Sequence, residues 1–397
     1  MYYLMNKDKI VATFRKGSDP LADDFQMTKA EQDALPIGFQ DINSWLENRQ
    51  VGKRKKHIRE IMTECGCLSV EGYIKITHGT TLNDTFWVKS EDESVQWDRV
   101  SLFTNEFDDV IARISFEGSG LYGKEFSSIT PEFSTEGSFE KCWIRENDKI
   151  YLYKRGSSGA GNAGLEPFSE VYSSQLGREL CKSVIPYELS RLHGKIASKC
   201  ELFTSEKVGF APLSLVVRKK MTPREMLEYY ASMGSEDSFR RMIIFDAITF
   251  NTDRHMGNHG VIFNTDTLKI IGIAPIFDEN LSMLPYAEER DFANIGAYIK
   301  TREPAIGTDF IQVAKALLTP AIRADLINLK DFHFTIFESD KFPASRVRTL
   351  EKIISRQIDG LLDKSKLYTA DVFPESAIAK LKSNQRTIQE MDNSDYK

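Results

Sequence analysis

Asp253, Asn258 and Asp278 are the residues of this chain whose types and order could do chemistry. They stand in Asp253-Arg254-His255-Met256-Gly257-Asn258 and in Ala274-Pro275-Ile276-Phe277-Asp278. A carboxylate can take a proton from a hydroxyl. An amide oxygen and a second carboxylate can hold a Mg2+ ion against the phosphates of ATP, because hard cations take oxygen ligands. The reaction so served is phosphoryl transfer, which depends mainly on positioning and charge stabilisation. Any one of these residues alone would more simply cap a turn or end a strand. Three of them in this order favour the chemical reading. His255 invites a general-base role, but bracing the loop by hydrogen bonding suits it better. Arg254 can hold either a phosphate or an internal carboxylate.

The three residues need elements that bring them together. Val261-Ile262-Phe263 and Leu268-Lys269-Ile270-Ile271 are β-prone runs around Asn264-Thr265-Asp266-Thr267, which predicts a hairpin. A hairpin returns the chain to its start, so Asp278 should lie near Asn258. Upstream, a helix from about Ser235 carries Phe239, Met242, Ile243 and Ile248 and delivers the chain to Asp253.

Asn251-Thr252-Asp253-Arg254-His255-x-x-Asn258, followed by Phe277-Asp278, resembles the HipA-like serine/threonine kinases of bacterial toxin–antitoxin systems. The Asp-Arg-His-x-x-Asn core is also similar to that of phosphatidylinositol kinases, which usually carry Gly before the Asp. Thr252 stands there in this chain, and Asn251 favours the HipA side. The resemblance covers roughly residues 130–365. It implies Asp253 as catalytic base, with Arg254 and His255 beside it, and Asn258 and Asp278 as magnesium ligands. It implies ATP and Mg2+ as cofactors and a protein Ser or Thr hydroxyl as substrate, the chain's own included. It leaves room for an antitoxin-like partner. A lipid or small-molecule kinase and a nucleotide-binding regulator without turnover are the alternatives. His-Arg-Asp, Asp-Phe-Gly and Val-Ala-Ile-Lys are all absent from the sequence, so a eukaryotic-type kinase is not indicated.

Such a site needs a lysine for the phosphates. Lys154 closes the strand-like run Ile150-Tyr151-Leu152-Tyr153, where an ammonium on a rigid strand can reach them. Glu170, on the next predicted helix, is its natural ion-pair partner, with Glu166 as runner-up. The segment Thr130-Pro131-Glu132-Phe133-Ser134-Thr135-Glu136-Gly137-Ser138 lies one strand pair earlier. Its amides, Gly137 and the hydroxyls of Ser134, Thr135 and Ser138 could cradle phosphates. These three hydroxyls, with Ser157 and Ser158, are the candidate autophosphorylation sites. Gly118-Ser119-Gly120-Leu121-Tyr122-Gly123 matches Gly-x-Gly-x-x-Gly, but no dinucleotide-site pattern follows it, so it reads as a linker turn.

The remaining sequence sets the frame. The chain has 397 residues, 41% apolar and 28% charged, the composition of a folded protein with room for two to three domains. A net charge of −6 gives no general pull toward nucleic acid. Lys53-Arg54-Lys55-Lys56-His57 reads as a solvated helix start, since no aromatic residue interleaves it. The first residues lack the basic and apolar blocks of a signal peptide, and no apolar run approaches the roughly 18 residues that span a bilayer. The cytoplasm is the expected compartment, with no membrane partner. Five cysteines, an odd and scattered set, agree.

The predicted fold is α+β: a bilobal protein-kinase-like pair of lobes behind an accessory domain. Residues 1–117 would be the accessory α+β domain, opening with a hairpin over 1–18 and helices over 39–66. Residues 70–117 alternate enough to suggest strands, with Phe86-Trp87-Val88 and Val110-Ile111-Ala112-Arg113-Ile114 the best of them. Residues 130–219 would be the β-rich nucleotide lobe, including a strand from Phe210 to Val217. Residues 220–365 would be the helical catalytic lobe, opening at the Thr222-Pro223-Arg224-Glu225 capping box. Residues 383–397 read as a polar, disordered tail.

Overall fold

The amino-terminal hairpin forms as the alternation predicts. Tyr2–Asn6 (β1) pairs antiparallel with Lys9–Lys16 (β2) through a turn in which Lys7 takes a left-handed φ of 50°. The computed structural model describes residues 1–18, 24–50, 56–117, 129–136, 139–159, 162–217 and 219–363. The basic residues 53–55, the glycine motif 118–123 and the tail 383–397 lie outside the described residues. Two compact units are formed. Of the described residues, the first takes those within 1–174, 184–217 and 256–280. The second takes those within 175–183, 219–255 and 281–363.

The first unit is built on three antiparallel sheets. Phe25–Ala30 (β3) and Phe86–Ser90 (β4) flank the opening hairpin in the order β3-β2-β1-β4. Leu4, Phe14, Phe25 and Phe86 turn one face of this sheet into a core. Trp45 and Leu46 of Ile42–Arg49 (α1) close that core, with Ile74 of a later helix. Lys56–Glu64 (α2) is the second helix, so among the described residues the helical reading of 39–66 holds over 42–49 and 56–64.

Residues 70–117 depart from the strand reading except at β4. Val70–Thr77 (α3) is a helix because Ser69 caps it, its Oγ accepting from Gly72 N at 3.1 Å. Trp97–Val100 (α4) is a single helical turn. Asp109–Glu117 (α5) overrides the β-branched run Val110–Ile114. Asp108 Oδ1 accepts from Ile111 N at 2.8 Å, and Ile111, Ile114 and Ser115 fall on one buried helical face. Packing on that face beats local strand propensity.

The second sheet has the order β5-β6-β8-β7, from Lys141–Glu146 (β5), Lys149–Arg155 (β6), Glu188–Leu192 (β7) and Lys195–Glu201 (β8). Glu166–Leu180 (α6) follows β6, with Pro167 in its first turn, where its missing N–H costs nothing. The third sheet has the order β11-β10-β9, from Val208–Pro212 (β9), Gly260–Asn264 (β10) and Ile270–Ile273 (β11). β9 ends at Pro212, short of the expected Val217, and the chain turns into Leu213–Val216 (α7).

The second unit contains helices and no strand among its described residues: Pro223–Ser232 (α8), Glu236–Thr249 (α9), Glu289–Ala293 (α10), Ile295–Ile299 (α11), Phe310–Leu317 (α12), Pro320–Leu329 (α13) and Ala344–Leu362 (α14). α9 is its buried centre, with Phe239, Met242, Ile243, Ile244, Phe245 and Ile248 inside. The α+β reading therefore holds. Among the described residues no helix is long and apolar enough to cross a membrane.

The capping box at α8 is complete. Thr222 Oγ1 accepts from Glu225 N at 3.2 Å, and Glu225 Oε2 accepts from Thr222 N at 2.8 Å. Lys219 first, then the Thr222 N–H and hydroxyl, pull the Glu225 carboxyl from its ordinary 4.5 down to about 2. A depressed carboxyl stabilises the fold above its ordinary value and stops doing so as pH falls through about 2. Thr222→Ala should lower stability by about 1 kcal/mol at neutral pH. Denaturant titration checks this, and the difference from wild type should shrink in acid.

Candidate active site

Lys154 reaches the site because of strand register. It lies opposite Lys141 on β5 and opposite Ser198 on β8, so all three side chains share one face of the sheet. The register is set by a two-residue turn at Asn147 and Asp148, both left-handed with φ of 48° and 64°. That is the turn whose twist suits a tight hairpin, and Asn and Asp tolerate it well.

The Lys154 ammonium is buried and bonded to two carboxylates. It donates to Glu170 Oε1 of α6 and, at 2.5 Å, to Asp278 Oδ1. Glu170 Oε2 accepts from Ser198 Oγ, so Glu170 is held on both oxygens. Burial works against the charged lysine, but Asp278 and Glu170 outweigh it and raise its pKa. Burial also raises the Glu170 carboxyl, with Lys154 opposing. Glu166, the runner-up, serves elsewhere: its Oε2 accepts from Ser157 N at 3.2 Å, tying down the loop after β6.

The hairpin behind Asp278 forms as predicted. Val261 pairs with Ile273, and Ala274 N donates to Gly260 O at 2.9 Å. The stretch before β10, which carries the buried Asn258, and the stretch after β11 therefore leave the hairpin side by side. Ile185 N donates to Ile276 O at 2.9 Å and brings Tyr187 alongside. Asp278 N donates to Tyr187 Oη at 3.3 Å. Asp278 has φ of 61°, a left-handed backbone that costs a non-glycine residue about 1–2 kcal/mol. Such strain collects at functional positions. Phe277 is fixed by Phe203, stacked at 5.6 Å, and by Phe210, edge-on at 5.4 Å.

Asp253, Arg254 and His255 belong to the second unit. α9 ends in left-handed Phe250, and Asn251 N donates to Asp246 O at 2.9 Å. Asn251 Oδ1 then accepts from Asp253 N at 2.9 Å, and its amide donates to Asp246 Oδ1 at 3.2 Å. Of the two uses open to Arg254, the internal carboxylate is the one made. Its Nε and Nη2 donate to Asp246 Oδ2 and Oδ1 at 3.0 and 2.9 Å, in a pair almost wholly buried. Burial raises the Asp246 carboxyl, with Arg254 opposing. His255 is exposed, and its Nε2 lies 4.0 Å from Asp253 Oδ1, beyond a direct hydrogen bond.

Ser134 and Thr135 lie at the end of a short 3₁₀ turn, Pro131–Ser134. Ser134 Oγ donates to Pro131 O at 3.2 Å, and Thr135 Oγ1 donates to the same carbonyl at 2.7 Å. Gly137 and Ser138 lie outside the described residues. Among the described residues no three His, Cys, Asp or Glu side chains gather as a metal site.

Sequence reasoning missed Ser198, Tyr187 and Asp246. Ser198 carried a signal only to a reader who already knew the register. Asp246 carried one as an acid inside an apolar helix.

No protein-family model and no curated protein matches the chain. Solved structures similar to it include a HipA from Shewanella oneidensis and CtkA from Helicobacter pylori. HipA of Shewanella oneidensis MR-1, determined as a toxin–antitoxin complex with HipB and its operator DNA, aligns over 91% of this chain and 99% of that one. The identity is 11% and the TM-score 0.50, a likeness of fold. The Helicobacter pylori proinflammatory kinase CtkA aligns over 56% of this chain and 92% of that one, at 18% identity and a TM-score of 0.41.

The Asp246–Arg254 pair gives a direct test. Asp246→Ala leaves a buried guanidinium without its acid and should cost about 3–5 kcal/mol, whereas Asp246→Leu with Arg254→Met should cost less. Urea denaturation of the three proteins measures both. Equal losses would show that Arg254 does not depend on Asp246.

Proposed function

We propose that this chain is an ATP- and Mg2+-dependent protein kinase of HipA-like type that transfers the γ-phosphate to a Ser or Thr hydroxyl, its own included. The observation that carries this reading is Lys154 held between Glu170 and Asp278. A strand lysine paired with a helix glutamate, beside an aspartate able to hold Mg2+, is the arrangement by which protein kinases position the phosphates of ATP. The bilobal kinase-like arrangement, with residues 130–219 as nucleotide lobe and 220–365 as catalytic lobe, belongs to the same proposal. So does residues 1–117 acting as a docking domain.

The donor set fits a magnesium ion. One ammonium faces two carboxylates, so the cluster has a surplus negative charge that a dication would offset. Mg2+ in such sites takes one or two protein oxygens and completes its shell with phosphates and water. Asp278 and Asn258 are the residues that would hold it, and it would neutralise phosphate charge. Lys154 would position the α- and β-phosphates, and Glu170 would keep Lys154 aimed. Asp253 would orient the attacking hydroxyl and accept its proton, with Asn251 fixing its backbone. Arg254 acts through Asp246 as a positioning residue. The likeness in fold to HipA, which was solved with HipB, supports an antitoxin-like partner.

Two measurements test the reading. MgATP at a hundredfold over its dissociation constant should stabilise the wild type by about 2.7 kcal/mol, and Lys154→Met should lose this. Mass spectrometry after incubation with MgATP should find phosphate on Ser or Thr, and Asp253→Asn should slow its appearance by about a hundredfold or more. Stabilisation without transfer would reduce the protein to a nucleotide-binding regulator. Transfer at the wild-type rate by Asp253→Asn would remove the base assignment.

A further inference from the structure

A buried acid outside the Lys154 cluster has no role in the scheme above. Glu132 is fully buried, on the segment that precedes β5. Its Oε1 accepts from Trp143 N at 2.8 Å, and its Oε2 accepts from Ser115 Oγ at 2.9 Å. Ser115 Oγ also lies 2.7 Å from Lys141 O and shares its single proton between the two acceptors, so α5 and β5 meet at the same point. A carboxylate is withdrawn from water only where donors replace the water, and each of these bonds is charge-assisted.

Trp143 holds the same segment a second time. While its backbone N–H is bonded to Glu132, its indole Nε1 donates to Thr135 Oγ1 at 3.0 Å. Thr135 Oγ1 in turn donates to Pro131 O at 2.7 Å. The 3₁₀ turn is therefore fixed at its start by Glu132 and at its exit by Thr135, both to one residue of β5. Thr130, Pro131, Glu132 and Phe133 are buried, and exposure rises through Ser134 and Thr135 to Glu136. The chain emerges from the core at the point where the second bond is made. Trp143 lies one position beyond Cys142 and two beyond Lys141, the cross-strand neighbour of Lys154. The strand that carries the clamp thus also borders the strand that carries the lysine.

We propose that Glu132 is a positioning residue which, with Trp143 and Thr135, latches the phosphate-cradling segment onto β5 before nucleotide binds. This rests on the reading that the stretch through residues 130–136 faces the phosphates. The latch sets the direction in which the chain leaves the turn, so it acts on nucleotide affinity and not on the transfer step. The Thr135 hydroxyl is spent on the latch, which takes it out of the set of phosphate donors.

The test uses the full chain with 15N-labelled tryptophan. It has four tryptophans, so Trp143→Phe assigns the indole signal. Glu132→Ala and Thr135→Val should each speed hydrogen exchange at the Trp143 indole. Glu132→Ala should raise the dissociation constant for MgATP about tenfold while the rate at saturating MgATP changes less than about threefold, the mark of lost ground-state positioning. Glu132→Gln keeps an acceptor for Trp143 N and should recover most of the affinity. If Glu132→Ala does not fold, Glu132→Gln and Thr135→Val still decide through the indole signal. Wild-type indole exchange in Thr135→Val, or affinity and saturated rate falling together in the Glu132 variants, would overturn the latch. A wild type that binds no MgATP would remove the kinase reading, and with it the assigned purpose, while indole exchange still reports whether the clamp exists.

Discussion

A buried ammonium must be neutralised, and in this chain that requirement organises the first unit. Lys154 is withdrawn from water, so Glu170 and Asp278 must come to it. Glu170 arrives on a helix that follows the lysine's own strand. Asp278 arrives from far along the chain, after a hairpin, and only by adopting a left-handed backbone. Ser198 and Tyr187 are recruited behind them, the first to the free oxygen of Glu170 and the second to the amide of Asp278. Removing the lysine would strand two acids in a poorly solvated place, so strands, helix and hairpin depend on one charge.

The second unit solves a similar problem with different groups. Its candidate base sits on a loop, and loops do not hold side chains well without help. Asp246 supplies that help from inside α9. It takes the guanidinium of Arg254, the amide of Asn251 and, through its carbonyl, the backbone of the turn. Asn251 then fixes Asp253. The rigid helix thus governs the loop through a buried acid. Buried pairs are seldom strong net contributors to stability, but breaking one is costly, which makes them good at fixing geometry.

Much of this was legible in the residues. Lys154, Glu170 and Asp278 could be named because a strand-end lysine, a helix glutamate and an acid after a hairpin each leave a local trace. The capping box at Thr222 and the hairpin at residues 260–273 were readable for the same reason. Ser198 and Tyr187 were not, since their importance lies in cross-strand register and in a remote backbone contact. Glu132 stands in a stretch whose hydroxyls draw the eye, while its own carboxylate takes the backbone N–H of Trp143 and the hydroxyl of Ser115. The run Val110–Ile114 misled because β-branched residues are strand formers in isolation. Asp108 and the buried face shared by Ile111 and Ile114 decided otherwise, and burial cannot be seen one residue at a time.

The small turn at Asn147 and Asp148 has a consequence for how this sequence can drift. Side chains on a strand alternate, so the lysine points inward only while the number of residues between the two strands is conserved. Substitutions at the turn change a local twist. A single inserted or deleted residue would invert the parity of every position from there to Arg155, sending Lys154 to the far face and a neighbour into its place, Tyr153 after an insertion and Arg155 after a deletion. The hairpin therefore protects a count more strictly than a composition. In a diverging lineage its length should persist long after the identities of its residues have been exchanged.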